Sequence, residues 1–218
     1  MIIIVGNQKG GPGKSTLTLL LANFLSLEKH CKVTVIDMDY QQSIAQKFQR
    51  SKLLENDPPY EVIAASLEQY NVIQPVLCEN PLHVIIIDLP GKLDDDGLIP
   101  VFSSADLVIC PFAYDEFSFD STILFSVVLR KINPKVNITY VPNRIKANVR
   151  YQTKLDVDAR LSLFGKITFS IPDRIDIQRT TTFATPQLVV ALIAPVLDQI
   201  FQDHLAFLLD DQKSLKSS

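Results

Sequence analysis

The sequence predicts an α/β protein: one open, mostly parallel twisted sheet with helices on both faces. Three observations lead there. Short β-branched runs recur along the chain, at Ile2–Val5, Val33–Ile36 and Val84–Ile87. Such continuous apolar runs suit strands buried on both faces of a parallel sheet. Stretches compatible with helix separate them, the order of repeated strand–helix–strand units. A glycine-rich loop, Gly6 to Thr16, joins the first run to the first helical stretch.

That loop reads Gly-Asn-Gln-Lys-Gly-Gly-Pro-Gly-Lys-Ser-Thr. Strand, glycine-rich loop and helix, in that order, form a phosphate cradle. Glycines let backbone N–H groups turn towards a polyphosphate, and the helix N-terminus adds positive potential. Gly10, Gly11, Pro12, Gly13 and Thr16 belong to the cradle. Lys14 is placed to reach the β- and γ-phosphates, and the Ser15 hydroxyl to take a position on Mg²⁺. The standard spacing asks for glycine at position 8, where the chain has Gln8. Lys9 precedes Gly10 and Gly11 instead, either as part of the cradle or as a solvated loop lysine.

The 218 residues suit one domain with a sizeable core. We expect it over residues 1–209, with a frayed tail over 210–218. A composition of 47% hydrophobic and 21% charged residues argues against disorder outside the ends. Cys31, Cys78 and Cys110 form no C-x-x-C pair, so we expect buried, reduced thiols rather than zinc ligands or disulfides. His30, His83 and His204 share no ligand spacing and read as structural or solvated. No signal peptide is visible. The uncharged stretch Thr180–Leu197 has an apolar part of only about ten residues, against roughly 20 needed to span a bilayer.

The net charge of −3 hides an asymmetry. From Arg130 to Arg179 there are eleven Lys/Arg and four Asp, a net +7, which leaves −10 for the rest. A polarised chain of this kind is a candidate electrostatic footprint for a polyanion.

In order, the helix over Leu17–Leu27 is followed by the strand Val33–Ile36. That strand ends in Asp37-Met38-Asp39-Tyr40-Gln41, with both carboxylates at the sheet's ligand-binding edge. They can serve the site or cap a helix starting near Gln41. Ser43–Leu54 can form that helix, and Pro58-Pro59 stops it. Tyr60–Ile63 reads as a strand and Leu67–Leu77 as a covering helix. Val84–Ile87 followed by Asp88 places an acid opposite Ser15, suited to holding Mg²⁺ through water. Asp94–Asp96 read as a solvated loop and helix start. Asp106–Phe112 is a strand ended by Pro111. Ser118–Lys131 follows as an amphipathic helix facing the sheet through Ile123, Val127 and Ile132. Val136–Val141 is a strand, Arg150–Leu163 a helix with Arg150 and Lys154 on a basic face, and Lys166–Ile171 a last strand. Leu188–Leu209 closes the chain as a helix kinked or bounded at Pro195.

Lys9-Gly10-Gly11-x-Gly13-Lys14-Ser15, Asp37/Asp39, Asp88-Leu89-Pro90-Gly91 and Asn143 together resemble the deviant Walker A ATPases of the ParA/MinD family, over Met1 to about Pro186. The resemblance implies a P-loop nucleotide-binding fold, ATP and Mg²⁺. It implies that Lys9 reaches the nucleotide of a partner subunit in an ATP-sandwich homodimer. Asp37 would hold the Mg²⁺ water shell, and Asp39 would position or polarise the attacking water. Tyr40 departs from the family's proline. Pro90-Gly91 would form the γ-phosphate-sensing turn. Asn143 would bond the adenine edge, or simply serve as a turn residue. Arg144 would flank the base, and the backbone at Pro172-Asp173 would pack beside it. Arg150, Lys154, Arg174 and Arg179 are the candidates for non-specific DNA binding.

The leading expectation is a DNA-partition ATPase of the short form, lacking a helix-turn-helix region before the cradle. It would be cytoplasmic and nucleoid-associated, with a centromere-binding ParB-like partner stimulating hydrolysis and no membrane partner. The alternatives are a MinD-like ATPase positioning a protein or membrane complex, and a metabolic ligase or iron-protein relative on the same scaffold.

Overall fold

A computed structural model describes residues 1–8, 11, 13–52, 57–91 and 95–209. Seven strands form one sheet: β1 (Ile2–Val5), β2 (Lys32–Asp37), β3 (Glu61–Ala64), β4 (His83–Asp88), β5 (Leu107–Phe112), β6 (Asn137–Pro142) and β7 (Lys166–Ile167). Their order is β3-β2-β4-β1-β5-β6-β7, and every pairing is parallel. All C-terminal strand ends therefore share one edge. β1 lies where the connections diverge to either side, the switch point outside which ligands bind in open α/β sheets.

Among the described residues, seven helices cover the sheet: α1 (Lys14–Asn23), α2 (Ser43–Lys52), α3 (Leu67–Leu77), α4 (Leu98–Ser103), α5 (Glu116–Ile132), α6 (Lys154–Leu161) and α7 (Gln187–His204). Successive strand side chains point to opposite faces. Ile3, Val5, Val33 and Val35 pack under α1, α2 and α7, while Ile2, Ile4, Ile85 and Ile87 pack under α3, α4, α5 and α6. The α1 stretch continues through a π-turn, Phe24–Glu28. A capping box starts α3: Ser66 accepts from the Gln69 N–H while Gln69 accepts from the Ser66 N–H.

Several expectations are corrected. Pro111 does not end β5; the strand runs through it and pairs Pro111 with Val141. Ile109 accepts from the Gly6 N–H, so Pro111, two residues on, turns its missing N–H to the side where β1 has already ended. The buried stripe of α5 is Ser118, Thr122, Phe125, Ser126 and Leu129 rather than Ile123, Val127 and Ile132, which lie half-buried beside it. Arg150 lies in a turn before α6, so Arg150 and Lys154 share no helical face. The last strand is two residues long. α7 passes through Pro195 without a break. Cys78 is exposed, whereas Cys31 and Cys110 are buried thiols. His83 and His204 hydrogen-bond Thr34 and Thr139, as structural histidines. The expected tail, 210–218, lies outside the described residues.

The short β7 approaches β6 through Gly165. A Cβ there would lie 2.1 Å from the Ile138 carbonyl oxygen, a backbone atom that cannot swing away. Gly165→Ala should cost about 3 kcal/mol, as overpacking in a tight core does, read as a lowered urea midpoint at unchanged m-value.

Candidate functional site

The loop after β1 meets α1 in left-handed backbone at Gly11 (φ 90°) and Gly13 (φ 89°), which glycine adopts without strain. Lys9, Gly10 and Pro12 lie outside the described residues. α1 begins at Lys14 and opens onto a cleft of about 520 Å³ lined by Gly11, Gly13, Lys14, Ser15, Thr16, Asp39, Tyr40, Gln41 and Gly91. Lys14 is 7% exposed. Burial pulls its ammonium below the usual pKa, opposed by attraction to Asp88 and Asp39.

Asp88 ends the central strand β4 and is 1% exposed. Ser15 Oγ donates to its Oδ2 at 2.6 Å and Thr18 Oγ1 to its Oδ1 at 3.0 Å. Burial nevertheless pushes its pKa up to about 7; repulsion from Asp37 adds to this, and the two hydroxyls and Lys14 oppose it.

Asp37 caps the start of α2. Its Oδ2 accepts from the Ile44 and Ala45 N–H groups, both at 2.9 Å, and its Oδ1 from the Asp39 N–H at 3.2 Å. Capping is thus realised for Asp37, whose carboxyl is also raised by burial. Asp39 Oδ1 accepts from the Gln41 N–H at 2.9 Å, closing a turn, and Asp39 lines the 520 Å³ cleft.

Among the described residues, no three His, Cys, Asp or Glu groups cluster to hold a metal by themselves. A hard divalent cation that completes its shell with phosphate oxygens and water has different needs. Ser15 and two mutually repelling buried carboxylates, Asp88 and Asp37, fit such an ion.

A second cavity, about 280 Å³, is lined by Gly13, Thr16, Asn143, Arg144, Pro172, Asp173, Arg174, Ile177 and Gln178. It shares Gly13 and Thr16 with the first, so the two form a continuous path. Asn143, at the end of β6, closes against the loop: a Cβ on Gly13 would lie 2.5 Å from Asn143 Nδ2. Asn143 Oδ1 accepts from the Arg144 N–H at 2.9 Å. Arg144 sits in left-handed backbone (φ 59°) and donates from Nη1 to the Gly11 carbonyl at 3.1 Å. Its Nε lies 3.7 Å from Asp173. The bridge between Ile145 and Pro172 pins the far wall.

The structure thus brings Gly11, Gly13, Lys14, Ser15, Thr16, Asp37, Asp39, Asp88, Asn143, Arg144, Pro172 and Asp173 to one sheet edge. It does not unite the four proposed DNA contacts. Arg174 lines the second cavity, Lys154 pairs with Asp158 at 3.0 Å, and Arg179 pairs with Asp176 at 3.3 Å. Arg150 stands exposed in its own loop. Ile177 and Gln178 are additions; they follow Pro172-Asp173 on a 3-10 turn, Ile175–Arg179. The larger cavity, about 700 Å³ at Met1, Asp106, Asn137 and His204, holds none of the predicted site residues.

Residues 1–89 match a family model described as an AAA domain. No curated protein sequence matches the chain. Among solved structures, an AMPPNP-bound protein of Borrelia burgdorferi assigned to plasmid partition is 24% identical, with a TM-score of 0.75 over 93% of this chain and 98% of its own. The MinD cell division protein of Aquifex aeolicus is 18% identical, with a TM-score of 0.70 over 92% of this chain and 97% of its own. A Cyanothece McdA–ATP complex is 16% identical, with a TM-score of 0.67 over 92% and 95%.

Folded Asp88 keeps its proton up to about pH 7, whereas an unfolded aspartate releases it near the ordinary value of about 4. The folded state binds more protons between those values, so stability falls as pH rises from about 4 to about 7. We expect a loss on the order of 4 kcal/mol at most in nucleotide-free, metal-chelated protein, read from urea midpoints. Asp88→Asn should remove most of that slope.

Proposed function

We propose, for a chain whose fold is that of the ParA/MinD-type P-loop ATPases, that it hydrolyses ATP with Mg²⁺ and uses the cycle to partition DNA. The observation that supports this most is the meeting of two clefts at Gly13 and Thr16. One is built for phosphates, with Lys14 and backbone amides; the other offers Asn143 and a Pro172 wall to a base. The likeness to an AMPPNP-bound plasmid partition structure supports the same reading.

In this reading, Asn143 both donates to and accepts from the adenine edge, and Arg144 flanks the base. Ser15 and Asp88, with Asp37 through water, would hold Mg²⁺, which supplies charge neutralisation when bound. Water attacks the γ-phosphorus in line, and the bond to the β–γ bridging oxygen breaks with its electrons leaving on ADP. Asp39 orients the water. Lys14 and Lys9 of a second copy stabilise the charge that develops on the phosphoryl oxygens. ATP closes the homodimer, which binds DNA without sequence preference. A ParB-like partner stimulates hydrolysis and resets the protein, on a cytoplasmic, nucleoid-associated cycle.

A MinD-like role, positioning a protein or membrane complex, draws on the likeness to MinD. Among the described residues no helix is long and apolar enough to cross a membrane. The acids Asp198 and Asp203 on α7 also disfavour anionic lipid at that end.

Lys14→Ala should weaken ATP binding about 100-fold or more, measured with a fluorescent analogue. Asp39→Ala should keep ATP affinity and lower kcat by about 100-fold or more. Lys9→Ala should keep ATP affinity and lose partner-stimulated turnover by about 1000-fold, as removal of an arginine finger does. Equal stimulated turnover in Lys9→Ala and unaltered protein would refute the lysine's role across the interface. Random-sequence duplex should bind with ATP and not with ADP. Intact turnover without duplex binding would overturn the partition reading and favour protein positioning.

A further inference from the structure

Helix α2 carries Lys47, Arg50 and Lys52 and no acid. Its apolar residues, Ile44 and Phe48, are buried in the core. Its outer face is therefore cations and amides, with Gln46 and Gln49 between them. Among the described residues, none of the three cations pairs with a carboxylate.

This helix is fastened to the segment that follows the 3-10 turn Ile175–Arg179. Lys47 Nζ donates to the Thr180 carbonyl at 3.1 Å, and Phe48 stacks on Phe183 with ring centroids 6.1 Å apart. Lys52 Nζ sits 5.9 Å over the Phe48 ring. Arg179, the residue before Thr180, has a side chain that is 72% exposed and pairs with Asp176 at 3.3 Å. Two segments distant in sequence are thus joined at α2.

We propose that this α2–turn ridge binds the phosphate backbone of double-stranded nucleic acid, and that the bound nucleotide sets its geometry. The proposal rests on reading the chain as a DNA-binding ATPase, and it names the contact surface. Each half of the ridge has one end in the nucleotide path. The first turn of α2 hangs on Asp37, just after the Asp39–Gln41 turn of the phosphate cleft. The 3-10 turn faces the base cavity with Ile177 and Gln178, next to Arg174. Closing that path on a nucleotide shifts both halves together, and with them the spacing of Lys47 and Arg50 from Arg179.

The chemistry favours nucleic acid over lipid. A helix that lies on a membrane presents apolar side chains between its cations. Those of α2 face inward, and amides with guanidinium and ammonium groups are the usual donors to phosphate oxygens. The surface near Lys154 is poorer for a polyanion: Lys154 is held by Asp158, and the adjoining groove carries Asp115, Glu116, Asp120 and Asp156.

The test is anisotropy of a random-sequence duplex with the full chain, Mg²⁺ and a non-hydrolysable ATP analogue over a salt series. The unaltered protein is compared with Arg50→Gln/Lys52→Gln, with the charge-keeping Arg50→Lys/Lys52→Arg, and with Lys131→Gln on α5. The neutralised pair should lower the slope of log affinity against log salt by about 2 for each copy that contacts the duplex, the loss of two phosphate contacts per copy. Its ATP affinity should not change. The charge-keeping pair and Lys131→Gln should retain the full slope. An unchanged slope in the neutralised pair, with the unaltered protein binding duplex, would overturn the ridge and leave the DNA-binding reading standing. Failure of the unaltered protein to bind duplex in any nucleotide state would overturn both, as would sedimentation with phosphatidylglycerol vesicles in place of duplex binding.

Discussion

The joint between Asp88 and the first turns of α1 sets the rest of the molecule. A buried carboxylate is tolerated only when donors surround it. Ser15 and Thr18 supply two hydroxyls from one helix face, at 2.6 and 3.0 Å. They fix the rotation of α1 over β4, and so the height at which Gly13 and Lys14 meet the cleft. The donors do not offset burial completely. The carboxyl still titrates near 7, and Asp37 on the neighbouring strand adds repulsion. The site therefore favours added positive charge.

Parallel pairing does the collecting. With every described strand running the same way, the segments after β1, β2, β4, β6 and β7 leave from one edge. Residues 13–16, 37–41, 91, 143–144 and 172–178 meet there although the chain separates them widely. Cross-links keep them in place: Arg144 reaches Gly11 and Asp173, and Ile145 bridges Pro172. The larger cavity at the opposite edge holds none of these residues, so volume alone is a poor guide to the site.

The strands and the phosphate loop were legible because their signals are local. Four β-branched residues ending in Asp88 need no tertiary context, nor does Lys14-Ser15 after a glycine turn. The buried face of α5 was not legible by hydrophobic period. Ser118, Thr122 and Ser126 face the sheet because their polar groups are satisfied there: Thr122 and Ser126 donate to carbonyls one turn back, and Ser126 meets Tyr140. Asp37 carries two readings in the sequence, and the start of α2 at Ser43 realises the cap. Charge alone makes Arg174 a candidate DNA contact. Its place in the second cavity accompanies the Ile145–Pro172 bridge, a contact between segments that no spacing rule links.

The same distinction governs the charge distribution. The window from Arg130 to Arg179 has a net charge of +7, yet four of its eleven cations face a carboxylate. Arg144 meets Asp173, Lys154 meets Asp158, Lys166 meets Asp203 and Arg179 meets Asp176. Exposed pairs of this kind contribute little stability, but they weaken the field that a polyanion experiences. Helix α2 lies in the stretch of chain whose net charge is negative, and its three cations have no carboxylate partner among the described residues. A sum over sequence counts charges that cancel in space and misses those that do not. The folded arrangement leaves the uncancelled ones on the outer face of α2, whose first turn hangs on Asp37.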